Sequence, residues 1–271
     1  LLPAKKVFGE RLTPLYFDWK DHLTAKYEAQ KAAVEAEGLT EFTLLSDGVD
    51  YCGGVTFSPD GKKLVYSCSD PRTGANVWIA RGDGTGAKIE IEGAYADDFS
   101  WRADSRAFAY SSRRVVNRFN LYTDVYLHSL SGRTEALTSG ARARNPTFTA
   151  DGERLLVVTN EAQNNQLARL TVDRRTDTLT EHTDHTQYTA PRYSPDGRHI
   201  AVSMWREGYQ DLWLLDADAN PVRRLTADLA ADIDPRWSAD GRTLYFSSDR
   251  SGIYNILSLI HISEPTRLRT I

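Results

Sequence analysis

The chain has 271 residues, 41% of them hydrophobic and 26% charged, enough to bury a sizeable core in one domain of ordinary soluble composition. A formal net charge of −4 excludes a general attraction to nucleic acid or to an anionic membrane surface, and no apolar run reaches the length of a membrane-spanning helix. Two cysteines decide little about compartment, and a start at Leu1-Leu2-Pro3, with neither Met nor a signal-peptide pattern, leads us to expect an internal piece of a longer protein.

Residues 1–38 read as a helical segment. Thr13 suits an N-cap, Pro14 the first helical position and Gly38 the stop. Tyr16, Trp19, Leu23, Tyr27 and Val34 fall at helical spacing and make one apolar stripe, interrupted at Gln30. Such a stripe needs a partner, either the domain that follows or the end of an upstream domain. From there on the reading is all β, beginning with an alternating outer strand at 41–46.

Five hairpin signals follow. Phe57-Ser58-Pro59-Asp60-Gly61, Phe148-Thr149-Ala150-Asp151-Gly152, Tyr193-Ser194-Pro195-Asp196-Gly197 and Trp237-Ser238-Ala239-Asp240-Gly241 share one grammar, and Trp101-Arg102-Ala103-Asp104-Ser105 is a weaker copy. Ser or Thr opens a tight turn, Pro presets φ, and Gly supplies the left-handed residue that lets the strands pair again. Ser105 stands where the other four turns place Gly, so a left-handed φ there would strain its side chain. The turn aspartates recur at intervals of 44, 47, 45 and 44 residues, the period of one four-stranded propeller blade. Third strands fall at 76–80, 124–130, 166–172, 211–216 and 254–256, and fourth strands end in Leu137-Thr138, Leu179-Thr180 and Leu225-Thr226. Cys52 and Cys68 flank the first turn at comparable distances and face each other across the hairpin, either as a disulfide or as two buried thiols, with Gly53-Gly54 able to bulge the register.

The succession Leu-Thr, Asp-x-x-Pro, an aromatic, Ser-Pro-Asp-Gly, an apolar strand and Ser-Ser-Asp is fullest at 193–202 and 237–249. It resembles the WD40-like repeat of TolB-type propellers, PD40, over residues 39–256. The resemblance implies an all-β propeller, usually of six or more blades, in the periplasm or cell envelope, that binds other proteins. The same blades occur beside the hydrolase domains of prolyl-oligopeptidase and tricorn-like peptidases. Residues 257–267 resemble a translated sequencing adapter, so 257–271 are read as a non-native tail beyond which the natural fifth blade would continue differently.

Neither Gly-x-Ser-x-Gly nor His-Glu-x-x-His occurs, so no catalytic residue, cofactor or metal is assigned. His182 and His185 flank a loop between blades, while His22, His128 and His199 read as surface positions. The repeated aromatics Phe57, Trp101, Phe148, Tyr193 and Trp237, with Trp78 and Trp213 on third strands, read as core between blades.

Hairpin geometry suggests a site. The inner strands begin at the end opposite the Asp-Gly turns, so Asp98, Asn145 and Asp234, three residues before the shared aromatic, gather with the second-to-third-strand loops on one face. Asp50, Arg142, Arg144 and Asp232 lie further out along the same approach. The longest of those loops, 113–123, carries Arg113, Arg114 and Arg118 beside Asn117, Phe119 and Tyr122, a composition favoured at protein contacts. Either these residues cap strands around a wet channel, with Phe119 and Tyr122 folded back on the blade, or they form a binding face. The expected function is a non-catalytic interaction module for an envelope protein. The alternative is the substrate-gating propeller of a larger peptidase with its catalytic domain elsewhere.

Overall fold

A computed structural model describes residues 12–36, 51–70, 74–161, 164–260 and 267–270, in two compact units, Leu1–Leu44 and Leu45–Ile271. The first holds α1 (Leu12–Ala36). Thr13, expected as N-cap, lies inside the first turn, and Pro14 is tolerated there because a first-turn N–H has no intrahelical acceptor. Tyr16, Trp19 and Tyr27 each keep more than half of their surface. The strand expected at 41–46, Gly38 and Asp50 lie outside the described residues.

The second unit is five antiparallel four-stranded sheets. They comprise β1 (Tyr51–Phe57), β2 (Lys63–Asp70), β3 (Gly74–Arg81) and β4 (Lys88–Ile91); β5 (Ala96–Trp101), β6 (Ala107–Val116), β7 (Asn120–Ser129) and β8 (Thr134–Ala136); β9 (Arg144–Phe148), β10 (Arg154–Glu161), β11 (Asn164–Thr171) and β12 (Thr176–Thr178); β13 (Gln187–Tyr193), β14 (His199–Arg206), β15 (Tyr209–Asp216) and β16 (Pro221–Arg224); and β17 (Asp232–Trp237), β18 (Thr243–Ser248), β19 (Asn255–Ile260) and β20 (Arg267–Thr270). Each sheet is a meander, and its first strand packs on the first strand of the next, from β1 through β5, β9 and β13 to β17. Among the described residues there are five blades rather than six, and no comparable contact closes β17 onto β1.

The turns fold as their chemistry dictates. In the first, the Ser58 hydroxyl donates to Asp60 Oδ1 at 2.6 Å and accepts from the Lys63 amide at 2.9 Å. Gly61 turns at φ 68° and donates its amide to the Ser58 carbonyl. The same bonds recur at Ser194/Asp196 and Ser238/Asp240, with Thr149 serving Asp151. These hydroxyl bonds hold the four carboxyls below the ordinary carboxylate range.

The blades are sealed by apolar strands buried on both faces, such as Leu155, Leu156, Val157 and Val158 of β10, which feed the cores on either side. Each shared aromatic packs on the preceding blade: the Trp101 indole donates to the Thr56 carbonyl at 3.2 Å and that of Trp237 to the Arg192 carbonyl at 3.1 Å. Phe57 departs from the expected core role. It is 52% exposed, because β1 has no preceding blade packed on it among the described residues. Trp78 and Trp213 are half-buried against their clusters.

The Leu-Thr signature also has a physical cause. Thr138, Thr180 and Thr226 each accept an amide hydrogen from the third strand, from Val125, Leu167 and Leu212, and donate to Asp124, Gln166 and Asp211 respectively. His128 is another correction. It is buried against Phe108, with its ring nitrogens on Thr134 at 2.7 Å and Glu90 of the first blade at 3.2 Å.

Cys52 and Cys68 are bonded, with Cα atoms 4.1 Å apart, directly opposite in register because the bulge starts only beyond Gly53. Residues 257–260, read above as the start of a tail, continue β19, and Leu257 and Leu259 lie in the core with Leu244 and Phe246. Whatever its origin, the alternation of that stretch suffices to fill a third-strand slot.

Ser105 does hold a left-handed φ of 55°, yet its hydroxyl accepts the Asp60 amide of the preceding blade at 3.3 Å. Glycine there would relieve about 1 kcal/mol of strain and lose a bond worth about the same. Urea unfolding should place Ser105→Gly within about 1 kcal/mol of the parent and Ser105→Ala lowest, since alanine keeps the strain and loses the bond. Alanine matching glycine would show that neither term operates.

Candidate functional site

Every inner strand is irregular at the same place. Pairing slips between Gly53 and Thr56, Asp97 and Ser100, Thr189 and Arg192, and Ile233 and Arg236, with a matching slip where β9 meets β10. The extra residue of each bulge is left-handed: Gly54 (φ 67°), Asp98 (58°), Asn145 (52°), Ala190 (49°) and Asp234 (53°). Aspartate and asparagine are the non-glycine residues that best tolerate this conformation. At Gly54 a Cβ would come within 3.0 Å of the Phe99 ring. The bulge turns these residues toward the axis of the sheet array, where two cavities are lined by the inner strands.

The cavity at the strand-start end, about 270 Å³, is lined by Asp98, Asn145, Asp234 and Arg144, joined by Asp97, Ser111, Arg113 and Ala190. The geometry therefore brings four of the expected residues together, as bulge and strand-start groups rather than as strand caps. Ser111 donates to the Asp97 carbonyl at 3.1 Å and to Asp98 Oδ2 at 3.2 Å. Asp97 keeps more than a third of its surface, yet partial desolvation against the cavity wall, with the neighbouring Asp98 charge, raises its carboxyl above the ordinary range against the pull of Arg113.

The other expected residues lie elsewhere. Asp232 is fully buried, and both its carboxylate oxygens accept from Arg250 Nη2, at 2.9 and 3.0 Å, which ties β17 to the loop after β18. Arg142 is exposed and lies over the Tyr122 ring at 4.5 Å, with Nη2 on the phenol oxygen at 3.1 Å. The stretch 113–123 is not a loop. β6 and β7 continue pairing through Arg113↔Thr123, Arg114↔Tyr122, Val115↔Leu121 and Val116↔Asn120. They close through a three-residue turn, Asn117, Arg118 and Phe119, the first two left-handed at 51° and 67°. Phe119 stands at the tip 90% exposed, with Val115 and Leu121 also exposed, so it does not fold back on the blade. Tyr122 is half-buried.

Sequence reasoning missed Arg192 and Arg236, which line the second cavity, about 400 Å³, at the turn end. Both sit two residues after the bulge, where the other blades carry Thr56, Ser100 and Thr147. Superposing the repeats residue by residue reveals this change of a small hydroxyl to a cation. Burial, and then the nearby Arg236 charge, push the Arg192 guanidinium down to about 9, with Asp98 and Asp234 acting in the other direction. The axis is thus acidic at one end and cationic within. In the loop before β13, His182 is within hydrogen-bonding distance of Tyr188, and among the described residues no three His, Cys, Asp or Glu side chains converge as a metal site requires.

An acid whose folded pKa is raised binds its proton more readily in the native state, so ionising Asp97 weakens the fold as pH rises through the folded value. Asp97→Asn should be more stable than the parent at neutral pH, with the gap closing as pH falls below the ordinary 3.8. Urea midpoints at neutral and acidic pH measure it, and a gap that widens in acid would reverse the assignment.

Residues 181–264 match the PD40 family, the TolB beta propeller domain. Over 227 residues, 81% of this chain, it is 24% identical to the uncharacterized peptidase YuxL of Bacillus subtilis, covering 32% of that protein. A 45-residue stretch, 17% of the chain, is 50% identical to the Tol-Pal system protein TolB of Anaeromyxobacter dehalogenans, 10% of that protein. The chain therefore spans a third or less of these relatives. Among solved structures, putative TolB from Agrobacterium tumefaciens has a TM-score of 0.71 at 18% identity, covering 84% of this chain and 83% of that one; likeness at that identity is one of fold. Repeat grammar, sheet order and these matches agree on a TolB-like propeller fold, with the PD40 match itself confined to residues 181–264.

Proposed function

We propose that this propeller is a binding module that holds a protein partner at the face carrying Asp98, Asn145 and Asp234. Arg144 lines that cavity, and the β6–β7 hairpin projects from the same end with Arg114 and Arg118. The observation that carries this reading is the hairpin tip. Phe119 is 90% exposed beside exposed Val115 and Leu121, flanked by arginines, and a cluster of exposed apolar side chains with Arg beside it has the composition of interface hot spots. Arg142 stacked on Tyr122 stiffens the base of the hairpin, which lowers the entropic cost of docking. The partner is an envelope protein and the compartment the periplasm or cell envelope. Resemblance to TolB supports this, as does a Cys52–Cys68 bond, which is favoured in oxidising surroundings.

A second reading rests on the longer match to the peptidase YuxL: the propeller would gate substrate entry to a catalytic domain elsewhere in the full protein. A Gly-x-Ser-x-Gly nucleophile motif in the adjoining gene sequence would favour it, and its absence would remove its support.

The experiment is site-specific photo-crosslinking from position 119 in cell-envelope extract, followed by affinity measurement with the captured protein. Arg114→Ala with Arg118→Ala should weaken binding by about 2 kcal/mol or more, roughly 30-fold, at unchanged melting temperature. Unchanged affinity with both arginines gone would move the site off this rim.

A further inference from the structure

We infer that the turn end of the central channel is a carboxylate-binding site built by Arg192 and Arg236. Nothing in the fold calls for cations there, since Thr56, Ser100 and Thr147 serve the same position in the other three blades. Arg192 is 7% exposed, its Nε is buried without a hydrogen-bond partner, and its one bond runs from Nη1 to the Pro191 carbonyl at 2.9 Å. Arg236 is half-buried in the same cavity, and among the described residues neither guanidinium has a carboxylate within ion-pair distance. Two like charges facing one confined space, with donors left over, is a costly arrangement that an anion relieves.

The surroundings select the kind of anion. Guanidinium forks match the planar oxygens of a carboxylate, and the walls of Phe99, Trp101, Phe148 and Trp237 suit an apolar substituent on it. Asp98 and Asp234 act electrostatically on the arginines from the far end, so a singly charged ligand balances the channel better than a phosphate dianion. The lining at the near mouth comes from the uncharged turn residues Pro59, Ala103, Ala150, Pro195 and Ala239, while the turn aspartates next to them in sequence bond back into their own turns. The cavity, about 400 Å³, admits a small arylalkyl carboxylate or the last residue of a peptide. The site lies on the inner wall and does not depend on the hairpin.

Calorimetric titration of the full chain with 3-phenylpropionate, its amide, inorganic phosphate, and the tripeptide Ala-Ala-Phe with a free or an amidated C-terminus tests this. The free acid should bind and its amide should not, phosphate should be weaker than the acid, and Arg236→Met should lower affinity about tenfold or more. A tripeptide that binds more tightly than 3-phenylpropionate only with a free terminus would assign a peptide end as the source; equal affinities would assign a free small carboxylate. Arg192→Met, which removes an unpaired buried charge, should raise the melting temperature in buffer free of carboxylates. Equal binding of acid and amide, no binding of any acid, or an Arg192→Met protein less stable than the parent would overturn the site.

Discussion

A single left-handed residue in each inner strand governs what this propeller presents along its axis. A regular strand of this length would send alternate side chains into the two neighbouring blade interfaces, and nothing would face the channel in register. The bulge inserts one residue, restarts the alternation, and does so at the same height in all five blades. Two consequences follow from that displacement. The bulge residues Asp98, Asn145, Ala190 and Asp234 line the strand-start cavity, and Thr56, Ser100, Arg192 and Arg236, two positions after a bulge, line the turn-end cavity. Asp98, Asn145 and Asp234 are there because the conformation selects short polar side chains or glycine. Arg192 and Arg236 are there because the following position is free to vary once the bulge has set its direction.

Charge along the axis is then a matter of which residue each repeat supplies at two positions. Desolvation, and then the neighbouring Asp98 charge, raises Asp97, and desolvation lowers Arg192, so each end is held away from its ordinary ionisation equilibrium. Asp232 shows how the same chain treats a charge meant for structure: it is wholly buried, and both its oxygens accept from Arg250 Nη2. That satisfied pair contrasts with the unpartnered Nε of Arg192, the feature on which the proposed anion site rests.

Much of the fold was legible because its determinants are local. Ser58, Asp60 and Gly61 make their turn with bonds spanning five residues or fewer, and the four copies repeat it. The gathering of Asp98, Asn145 and Asp234 followed from hairpin direction alone, although their left-handed conformation did not. That conformation is a property of pairing with β6, β10 and β18, which no period-two pattern displays. The hairpin at 113–123 read as a loop because Asn117-Arg118 is a weak turn signal and its flanking strand segments are short, mostly exposed and without a clean apolar alternation. His128 read as a surface residue because its partners Glu90 and Thr134 belong to neighbouring strands, one of them in another blade. Phe57 read as core because burial of its position depends on a preceding blade that the repeat itself cannot reveal.

The claim that the bulge conformation, not side-chain packing, fixes these positions is tested by comparing Asp234→Gly with Asp234→Val in equilibrium urea unfolding. Both remove the carboxylate, so the difference isolates the backbone. A left-handed φ of 53° predicts that valine, despite its preference for strands, is less stable than glycine by about 1–2 kcal/mol. Valine equal to or more stable than glycine, as a regular strand would give, would contradict the account.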